Sequence, residues 1–303
     1  MDSIDRGISR REILGLAAGA AASAGAMGTP ERKGAAVRRL LLIAGTQSHP
    51  PMMHEYNAGV RLLKQCLDTV PGLETRIALS GWPKDDSLFD GVNAVFLYMD
   101  GGTRHYALQD DRPAKLAALM AKGVGLGCCH YAVEIPEGAD AKRFQSWIGG
   151  TYETNYSCNP VWTPAFSDLP KHPITRGVKP FSVEDEWYFN MRFRDDGARV
   201  TPILTSAPSD KVRKGPYVSP RGPYEHIIAA SGRKESMMWA TERPDGGRGF
   251  GFTGAHYHRN WANDDFRKVV LNALLWIAKH DVPKSGVESK VSEDDMKLGL
   301  YAG

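Results

Sequence analysis

Short apolar runs alternate with segments of helical periodicity in the first half of the chain. Continuously apolar runs lie at 39–45, 94–98 and 123–129. Such runs are typical of strands buried on both faces of a parallel sheet. Between the first two, residues 55–70 repeat apolar side chains at helical spacing, and Pro71 ends the repeat. The same reading predicts a further strand at 75–79 and helices at 113–122 and 143–148.

The second half of the chain has a different pattern. Beyond Gly150, prolines separate short strand-like pieces, and regular elements return only near the end of the chain. These are strands at 236–240 and 249–254 and a helix at 264–279 with one apolar stripe. The prediction is an α/β fold with a mostly parallel sheet, helices on both faces and an antiparallel elaboration in the second half. No internal repeat is visible.

The N-terminus has the three parts of an export signal. A polar, basic start contains Arg10-Arg11, an Ala- and Gly-rich apolar run follows over 14–27, and Ala24-Gly25-Ala26 has the small-x-small pattern of a cleavage site. The arginine pair and the apolar pair after it resemble the twin-arginine motif. Residues 1–26 are therefore predicted to be a twin-arginine signal peptide cleaved near Ala26. The alternative is an ordinary amphipathic helix.

This prediction sets the expected organisation of the whole chain. A mobile linker is expected at 27–37, the α/β domain at 38–281 and a polar C-terminal tail at 282–303. No later stretch reaches the ~18 consecutive apolar residues of a membrane helix, so no stable membrane anchor is expected after cleavage. The expected location is periplasmic or secreted, with the twin-arginine translocase as a partner during export.

Charge and cysteine content exclude some classes of protein. The chain has 38 Lys and Arg against 35 Asp and Glu, and both signs are interspersed. A nucleic-acid partner is not expected, because such proteins concentrate basic residues on one face. The cysteines fit neither a dense disulfide framework nor a CxxC metal site, and buried core positions are expected for Cys128 and Cys129. A disulfide bond formed by Cys158 stays an open alternative.

Histidines are concentrated where predicted strands end. Ligands of open α/β sheets bind outside the carboxyl ends of the strands, and Asp100 also follows a strand. A single histidine there is more often structural, but imidazoles from four strand ends favour proton transfer or metal binding. Six of the nine histidines are at this predicted edge: His49, His54, His105, His130, His256 and His258.

The segment 127–132 allows two kinds of chemistry. A strand that runs into a polar residue followed by small residues is the arrangement of a nucleophile elbow. A thiol at the tip would indicate hydrolysis or amidotransfer through Cys129. Because Cys129 lies one step inside the strand and His130 at the tip, we favour His130 as a base or metal ligand.

Taken together, these motifs resemble the trehalose-utilisation (ThuA-like) family from about residue 38 to 279. The family fold is flavodoxin-like and similar to class I glutamine amidotransferases, without their catalytic cysteine pattern. Tyr131 replaces the second histidine of a family pair, and Ala255 is inserted in the closing Gly-His motif. The matching segments are His54-Glu55-Tyr56, 127–132, 148–152, 172–177, 185–188, Gly254-Ala255-His256 and Trp261.

The resemblance implies an exported carbohydrate-active enzyme. Its substrates would be glycosides or disaccharides oxidised to 3-keto sugars, cleaved or isomerised by a 3-keto-glycoside hydrolase, lyase or isomerase that uses histidine acid/base chemistry. A small-molecule carbohydrate partner and a divalent metal, zinc or similar, are expected, and a nucleotide cofactor is not. The expected catalytic residues are His130, His54, Glu55 and Glu186, the substrate-binding residues Asp100, Tyr131, Tyr188, His258 and Trp261, and the metal ligands His54, His130 and His256.

Three alternatives to this function stay open. A non-catalytic periplasmic sugar-binding protein would bind a sugar without forming a product. A thiol hydrolase or amidotransferase relative would depend on Cys129. A structural metal site would stabilise the fold without chemistry.

Overall fold

The structure is a computed structural model that describes residues 36–301. The predicted signal peptide and all but the last two residues of the predicted linker lie outside this range. The strands are β1 (Arg38–Ala44), β2 (Leu73–Ala78), β3 (Ala94–Tyr98), β4 (Gly125–Cys129), β5 (Gly150–Thr151), β6 (Val161–Trp162), β7 (Ala165–Phe166), β8 (Phe181–Ser182), β9 (Asp185–Glu186), β10 (Arg192–Phe193), β11 (Val200–Ser206), β12 (Glu235–Glu242) and β13 (Arg248–Phe252). The helices are α1 (Tyr56–Leu67), α2 (Arg112–Met120), α3 (Ala139–Ile148), α4 (Asp210–Arg213), α5 (Glu225–Ala229), α6 (Asp264–Ile277) and α7 (Glu293–Lys297).

Seven strands form the central sheet, in the order β2-β1-β3-β4-β13-β12-β11. The first five are parallel, and β12 and β11 continue the sheet in antiparallel fashion. The parallel part has the strand order of flavodoxin-like folds, in which ligands bind at the carboxyl ends of the strands. This confirms the predicted fold class.

The apolar strand runs are explained by burial on both faces of the sheet. Side chains of a strand alternate between its faces, so Leu40 and Leu42 pack in one core and Leu41 and Ile43 in the other. The first core includes residues of α1 and α6, and the second includes residues of α2 and α3. Helices therefore cover both faces, as expected.

Local signals set the ends of the helices. At the start of α6, the Asn263 side chain accepts hydrogen bonds from the backbone N–H groups of Asp265 and Phe266. At the end of α3, Gly149 has a φ of 96°, a left-handed conformation that favours glycine at a helix C-terminus. These ends lie within a few residues of those predicted.

The second half adds short antiparallel pairs to the sheet. They are β5 with β10, β6 with β9 and β7 with β8. The pair of β6 and β9 fixes Asp185 and Glu186 in the interior, where both side chains are buried. Among residues 36–301, no helix is both long and apolar enough to cross a membrane.

The C-terminal tail packs against the α/β domain. Val282 and Val287 are buried in the core on the α6 side of the sheet. Further along, the backbone N–H of Tyr301 donates a hydrogen bond to Glu55 Oε2 (2.9 Å). The tail therefore reaches the segment that enters α1.

Candidate metal centre

Four side chains from different strand ends meet at one point. His54 follows β1, His130 follows β4, His256 follows β13, and Glu186 ends β9. All four are buried, and one ligand atom from each lies within 4.8 Å of the others. We call these residues the His–Glu cluster.

The ligand atoms of the cluster are spaced as around a single ion. His54 Nε2 lies 3.0 Å from His130 Nε2 and 2.9 Å from His256 Nδ1. His256 Nδ1 lies 3.3 Å from His130 Nε2. Glu186 Oε2 is 2.7 Å from His256 Nδ1 and 3.6 Å from His130 Nε2. Zinc ligands at 2.0–2.1 Å in a tetrahedron are about 3.3 Å apart, so the set fits a small divalent cation.

Hydrogen bonds fix which nitrogen of His54 and His130 faces the cluster. The Tyr56 hydroxyl donates to Asp100 Oδ1 (2.7 Å), so it accepts the hydrogen bond from His54 Nδ1 (2.7 Å). The Thr253 carbonyl accepts from His130 Nδ1 (2.9 Å). A neutral imidazole carries one N–H. Both Nε2 atoms therefore direct a lone pair into the cluster, the state that binds metal ions.

Burial keeps the two imidazoles neutral. Desolvation lowers the pKa of His54 to about 3, against the opposing effect of Asp100. Desolvation, with the neighbouring histidines, holds the pKa of His130 well below its usual value. Two lone pairs 3.0 Å apart repel each other unless a cation lies between them. The donor set of imidazoles and one carboxylate suits zinc or a similar metal.

The backbone is unusual at the same positions. His54 and His130 have φ values of 50° and 53°, and Ala255, next to His256, has a φ of 83°. Left-handed backbone is uncommon for residues other than glycine and concentrates at functional sites. These conformations change the direction of the chain at the cluster, where the three imidazoles meet.

Asp185 holds the turn that carries His256. Its carboxylate accepts hydrogen bonds from the backbone N–H groups of Ala255 (2.7 Å) and His256 (3.0 Å), and from the Asn260 side chain (2.8 Å). Burial raises the pKa of Asp185, whereas these hydrogen bonds oppose that rise. Asp185 therefore shapes the turn, and Glu186 joins the cluster.

A cavity of about 310 Å³ opens next to the cluster. Tyr131 and Tyr188, both predicted to bind substrate, line it, and the Tyr188 hydroxyl is 3.1 Å from His130 Nε2. A larger depression of about 550 Å³, lined by His172 and Trp276 among others, contains no cluster residue. The full lining of the smaller cavity is His49, His54, Arg104, Tyr131, Glu134, Thr154, Asn159, Glu186, Tyr188, Val218, Ser219 and Pro220.

Asp100 lies outside the cluster and contacts the groups that hold His54 in place. It accepts hydrogen bonds from the hydroxyls of Tyr56 and Ser48, and its other oxygen pairs with Arg104 (3.2 Å). Burial would raise the pKa of Asp100, but the nearby His54 imidazole and the hydrogen bonds from the two hydroxyls outweigh it and lower the pKa to about 2. The ionised carboxylate thus orients His54 through Tyr56.

Three predicted site residues lie away from the cluster. Glu55 accepts hydrogen bonds from the backbone N–H groups of Met52 and Tyr301, and so holds the loop before α1 against the tail. His258 donates from Nε2 to the carbonyl of Met296. Trp261 is fully buried in the core. The structure places these side chains as supports of the fold rather than on the cavity.

Several cavity residues were given no role in the site from the sequence. His49, which was expected at this edge of the sheet, lies beside His54 with ring centroids 3.6 Å apart and the rings tilted by 37°. Asn159 donates from its amide to Glu186 Oε1 (2.8 Å). Glu134 lies four residues after His130, and this proximity is the one signal in the sequence that could have identified it. Asn159 comes from an irregular stretch without any pattern.

The cysteines do not support thiol chemistry. All four are buried free thiols, so Cys158 forms no bridge. Burial raises the pKa of Cys129 well above its usual value, and its Sγ lies against the carbonyl of Gly254. A nucleophilic cysteine needs an accessible thiolate. His130, and not Cys129, occupies the turn after β4.

Comparisons with known proteins agree with the fold. The sequence matches the profile of the ThuA family, described as trehalose utilisation, over residues 53–277. No curated protein matches the chain. The crystal structure of a ThuA-like protein from Parabacteroides merdae is similar, with 16% identity, a TM-score of 0.52, and coverage of 85% of this chain and 94% of that one. A second, from Bacteroides uniformis, has 14% identity, a TM-score of 0.55, and coverage of 82% and 95%. The chain therefore belongs to the ThuA (trehalose utilisation) family.

Proposed function

We propose that this protein is an exported enzyme that acts on glycosides carrying a ketone at C3, with a divalent cation held by the His–Glu cluster. The observation that carries the proposal is the convergence of buried, neutral imidazoles and one carboxylate at the side of a cavity. The family's description as trehalose utilisation supports a sugar substrate. The predicted signal peptide supports export.

The residues of the cluster would have one task, to hold the cation. His54, His130 and His256 would bind through the nitrogens that already face one another, and Glu186 through Oε2. A bound divalent cation supplies a Lewis acid that stabilises negative charge on a carbonyl oxygen. Asp100 and Asp185 orient two of the imidazoles from outside the cluster.

The cavity supplies binding and orientation. Its volume of about 310 Å³ is at the lower end for small-molecule sites, ~300–1,000 Å³, which favours one sugar ring over a whole disaccharide. The Tyr131 and Tyr188 rings offer apolar surface to the ring and hydroxyls to its oxygens. The second sugar or aglycone would then lie toward the opening.

A ketone at C3 makes the chemistry feasible. It acidifies the proton on C2, and loss of that proton produces an enolate that expels the glycosidic oxygen from C1. Stabilisation of the enolate oxygen is the interaction that lowers the barrier. Addition of water to C1 of the resulting enone would complete a net hydrolysis.

The test is product analysis on matched glycosides. The protein is incubated with a glucoside, with the same glucoside oxidised at C3, and with the corresponding pair of disaccharides. We expect release of the aglycone or second sugar from the 3-keto compounds alone, and its loss in His130→Ala. The control is His226→Ala, since His226 is exposed and outside the cluster. Binding of a sugar without any product would contradict an enzyme function.

A further inference from the structure

We propose that Glu134 is the catalytic base of this site, the residue that removes the proton on the carbon next to the substrate carbonyl. The inference rests on the proposed function and adds a residue that none of the motifs indicated. An imidazole bound to a cation cannot serve as the base, because its lone pair is occupied. Glu186 would bind the cation through Oε2, and its other oxygen already accepts a hydrogen bond from Asn159. The base must therefore be a cavity residue outside the His–Glu cluster.

Glu134 is the acidic residue of the cavity that has no other structural task. Glu186 belongs to the cluster, and Asp100 and Asp185 do not line the cavity. Within residues 36–301, Glu134 forms no ion pair, and its carboxylate accepts a hydrogen bond from the Thr154 hydroxyl (3.3 Å to Oε1). A carboxylate that is largely buried without an ion-pair partner is costly, which is typical of functional rather than structural groups.

The backbone holds Glu134 firmly against the wall of the cavity. Its carbonyl accepts a hydrogen bond from Gly102 N (2.9 Å), and it forms a bridge to Tyr152. A Cβ atom at Gly101 would lie 2.1 Å from the Tyr131 carbonyl oxygen and 2.9 Å from Glu134 Cβ. Only glycine at position 101 allows this close approach. The segment that follows β3 and the segment that contains Tyr131 and Glu134 are therefore in direct backbone contact. Catalytic groups are most effective on such rigid supports.

The surroundings of Glu134 adjust its basicity to neutral pH. Desolvation raises its pKa to about 7, the Thr154 hydrogen bond opposes this, and the negative charge of Glu186 adds to it. A base with a pKa near the working pH is the most efficient. The titratable groups that interact with the charge of Glu134 are Tyr131, Tyr152, Tyr188 and Glu186. His49, His54 and Arg104 line the same cavity without forming an ion pair with Glu134.

Cleavage of the glycosidic bond needs no acid other than the protonated Glu134. The Glu134 carboxylate accepts the proton from C2, and the C–H electron pair forms an enolate with the C3 carbonyl. The enolate then forms the double bond between C1 and C2 as the bond from C1 to the glycosidic oxygen breaks. The departing oxygen takes the same proton from the Glu134 carboxyl group, so the products are an enone and a free alcohol, and the carboxylate is restored.

The experiment separates proton removal from bond cleavage. A 3-keto sugar without a leaving group at C1, 3-keto-1,5-anhydroglucitol, is incubated with the protein in deuterated water, and exchange at C2 is followed by NMR. We expect wild-type protein to catalyse exchange and Glu134→Gln to slow it by at least about 100-fold. Glu134→Asp should retain part of the rate. Zinc affinity should be unchanged in both variants, because Glu134 is outside the cluster. Glu137→Gln is the matched control and should exchange at the wild-type rate, because Glu137 is exposed and does not line the cavity.

Each outcome decides between the two proposals. If wild-type protein cleaves 3-keto-glycosides but Glu134→Gln still catalyses exchange at the wild-type rate, the role of Glu134 is wrong and the proposed function stands. If wild-type protein catalyses neither exchange nor cleavage, the proposed function is wrong and the role of Glu134 falls with it. A rise in KM with unchanged kcat in Glu134→Gln would show a binding residue and also overturn the assignment.

Discussion

At the residue scale, the orientation of His54 and His130 depends on partners outside the His–Glu cluster. Each imidazole donates its outer N–H, one to Tyr56 and one to the Thr253 carbonyl, and so directs its other nitrogen inward. Such outer contacts fix the tautomer and ring orientation of metal ligands. The cluster is therefore arranged for a cation before one binds.

Substitution of Tyr56 by phenylalanine tests this arrangement. The variant loses the hydroxyl that links His54 to Asp100 while it keeps the ring in the core. We expect zinc affinity to fall by roughly 10- to 100-fold, measured by competition with a chromogenic chelator. Tyr106→Phe is the control, because its hydroxyl bonds Thr46 away from the cluster. Equal affinities of the two variants would show that the contact does not orient His54.

Glu134 should affect stability in a pH-dependent way. Its pKa in the folded protein is raised from 4.5 to about 7 by burial, so the folded state favours the protonated form. The contribution of Glu134 to the free energy of unfolding is therefore fully present at low pH. It is lost as the pH rises from about 4.5 through about 7, and the loss is roughly 3 kcal/mol at most.

Thermal unfolding of the metal-free protein measures this effect. Glutamine cannot ionise, so Glu134→Gln should gain stability relative to wild type as pH increases, with a larger Tm difference at about pH 8 than at about pH 5. The comparison is made in excess chelator, so that no cation changes the charge of the site. A Tm difference that is the same at both pH values would contradict the raised pKa.

The sequence predicted part of the site at this scale. Histidines were expected at this edge because they follow predicted strands, and strand ends of a parallel sheet meet at one edge. The family resemblance then implied His54, His130 and His256 as the ligands. Side-chain direction is not visible in such a pattern. Glu55 neighbours His54 and His258 lies close to His256, yet the side chains of both form hydrogen bonds with the tail.

At the scale of elements, one wall of the cavity depends on Asn159. The side-chain oxygen of Asn159 accepts a hydrogen bond from Ser219 N (3.1 Å), and its backbone carbonyl accepts one from Val218 N (3.3 Å). Its amide nitrogen donates to Glu186. One residue thus joins the segment 217–220 to a member of the cluster.

Replacement of Asn159 by leucine should loosen this wall. The variant keeps the branching at Cγ but loses the side-chain hydrogen bonds to Ser219 and Glu186. We expect faster tryptic cleavage after Arg221, which follows the segment, and weaker zinc binding. Cleavage after Lys84 serves as the internal reference, because Lys84 is exposed in the loop after β2 and does not line the cavity. Unchanged cleavage after Arg221 would show that the wall is held by other contacts.

The elements themselves differed in how well the sequence predicted them. The strands of the parallel core were evident because burial on both faces requires continuous apolar runs, as in β1 and β3. The strand β11 was not predicted, because Pro202 and irregular pairing interrupt its pattern. The two-residue strands β5 to β10 are defined by tertiary contacts rather than by periodicity.

At the scale of the whole molecule, the fold brings distant segments to one cavity. His54 and His256 are far apart in sequence, yet the backbone N–H of His54 donates to the carbonyl of His256 (3.0 Å). The tail adds contacts to both loops, through Tyr301 and Met296. The polar composition of the tail did not indicate these contacts, because they use backbone atoms.

The proposed export and the proposed cation are connected at this scale. Twin-arginine export transports proteins that are already folded, which would allow a cation to be inserted before transport. The ligands of the cluster come from four strand ends, so the complete site requires the folded sheet. A folded, loaded protein is therefore the form that we expect outside the cytoplasm.

The metal content of the purified protein tests the central claim most directly. The protein is purified without a metal-affinity tag and analysed by elemental mass spectrometry, beside a His54→Ala, His130→Ala double variant and a His226→Ala control. We predict about one divalent transition-metal ion per chain in wild type and in the control, and none in the double variant. Wild-type protein that contains no metal, and whose Tm does not rise when zinc is added, would contradict the account.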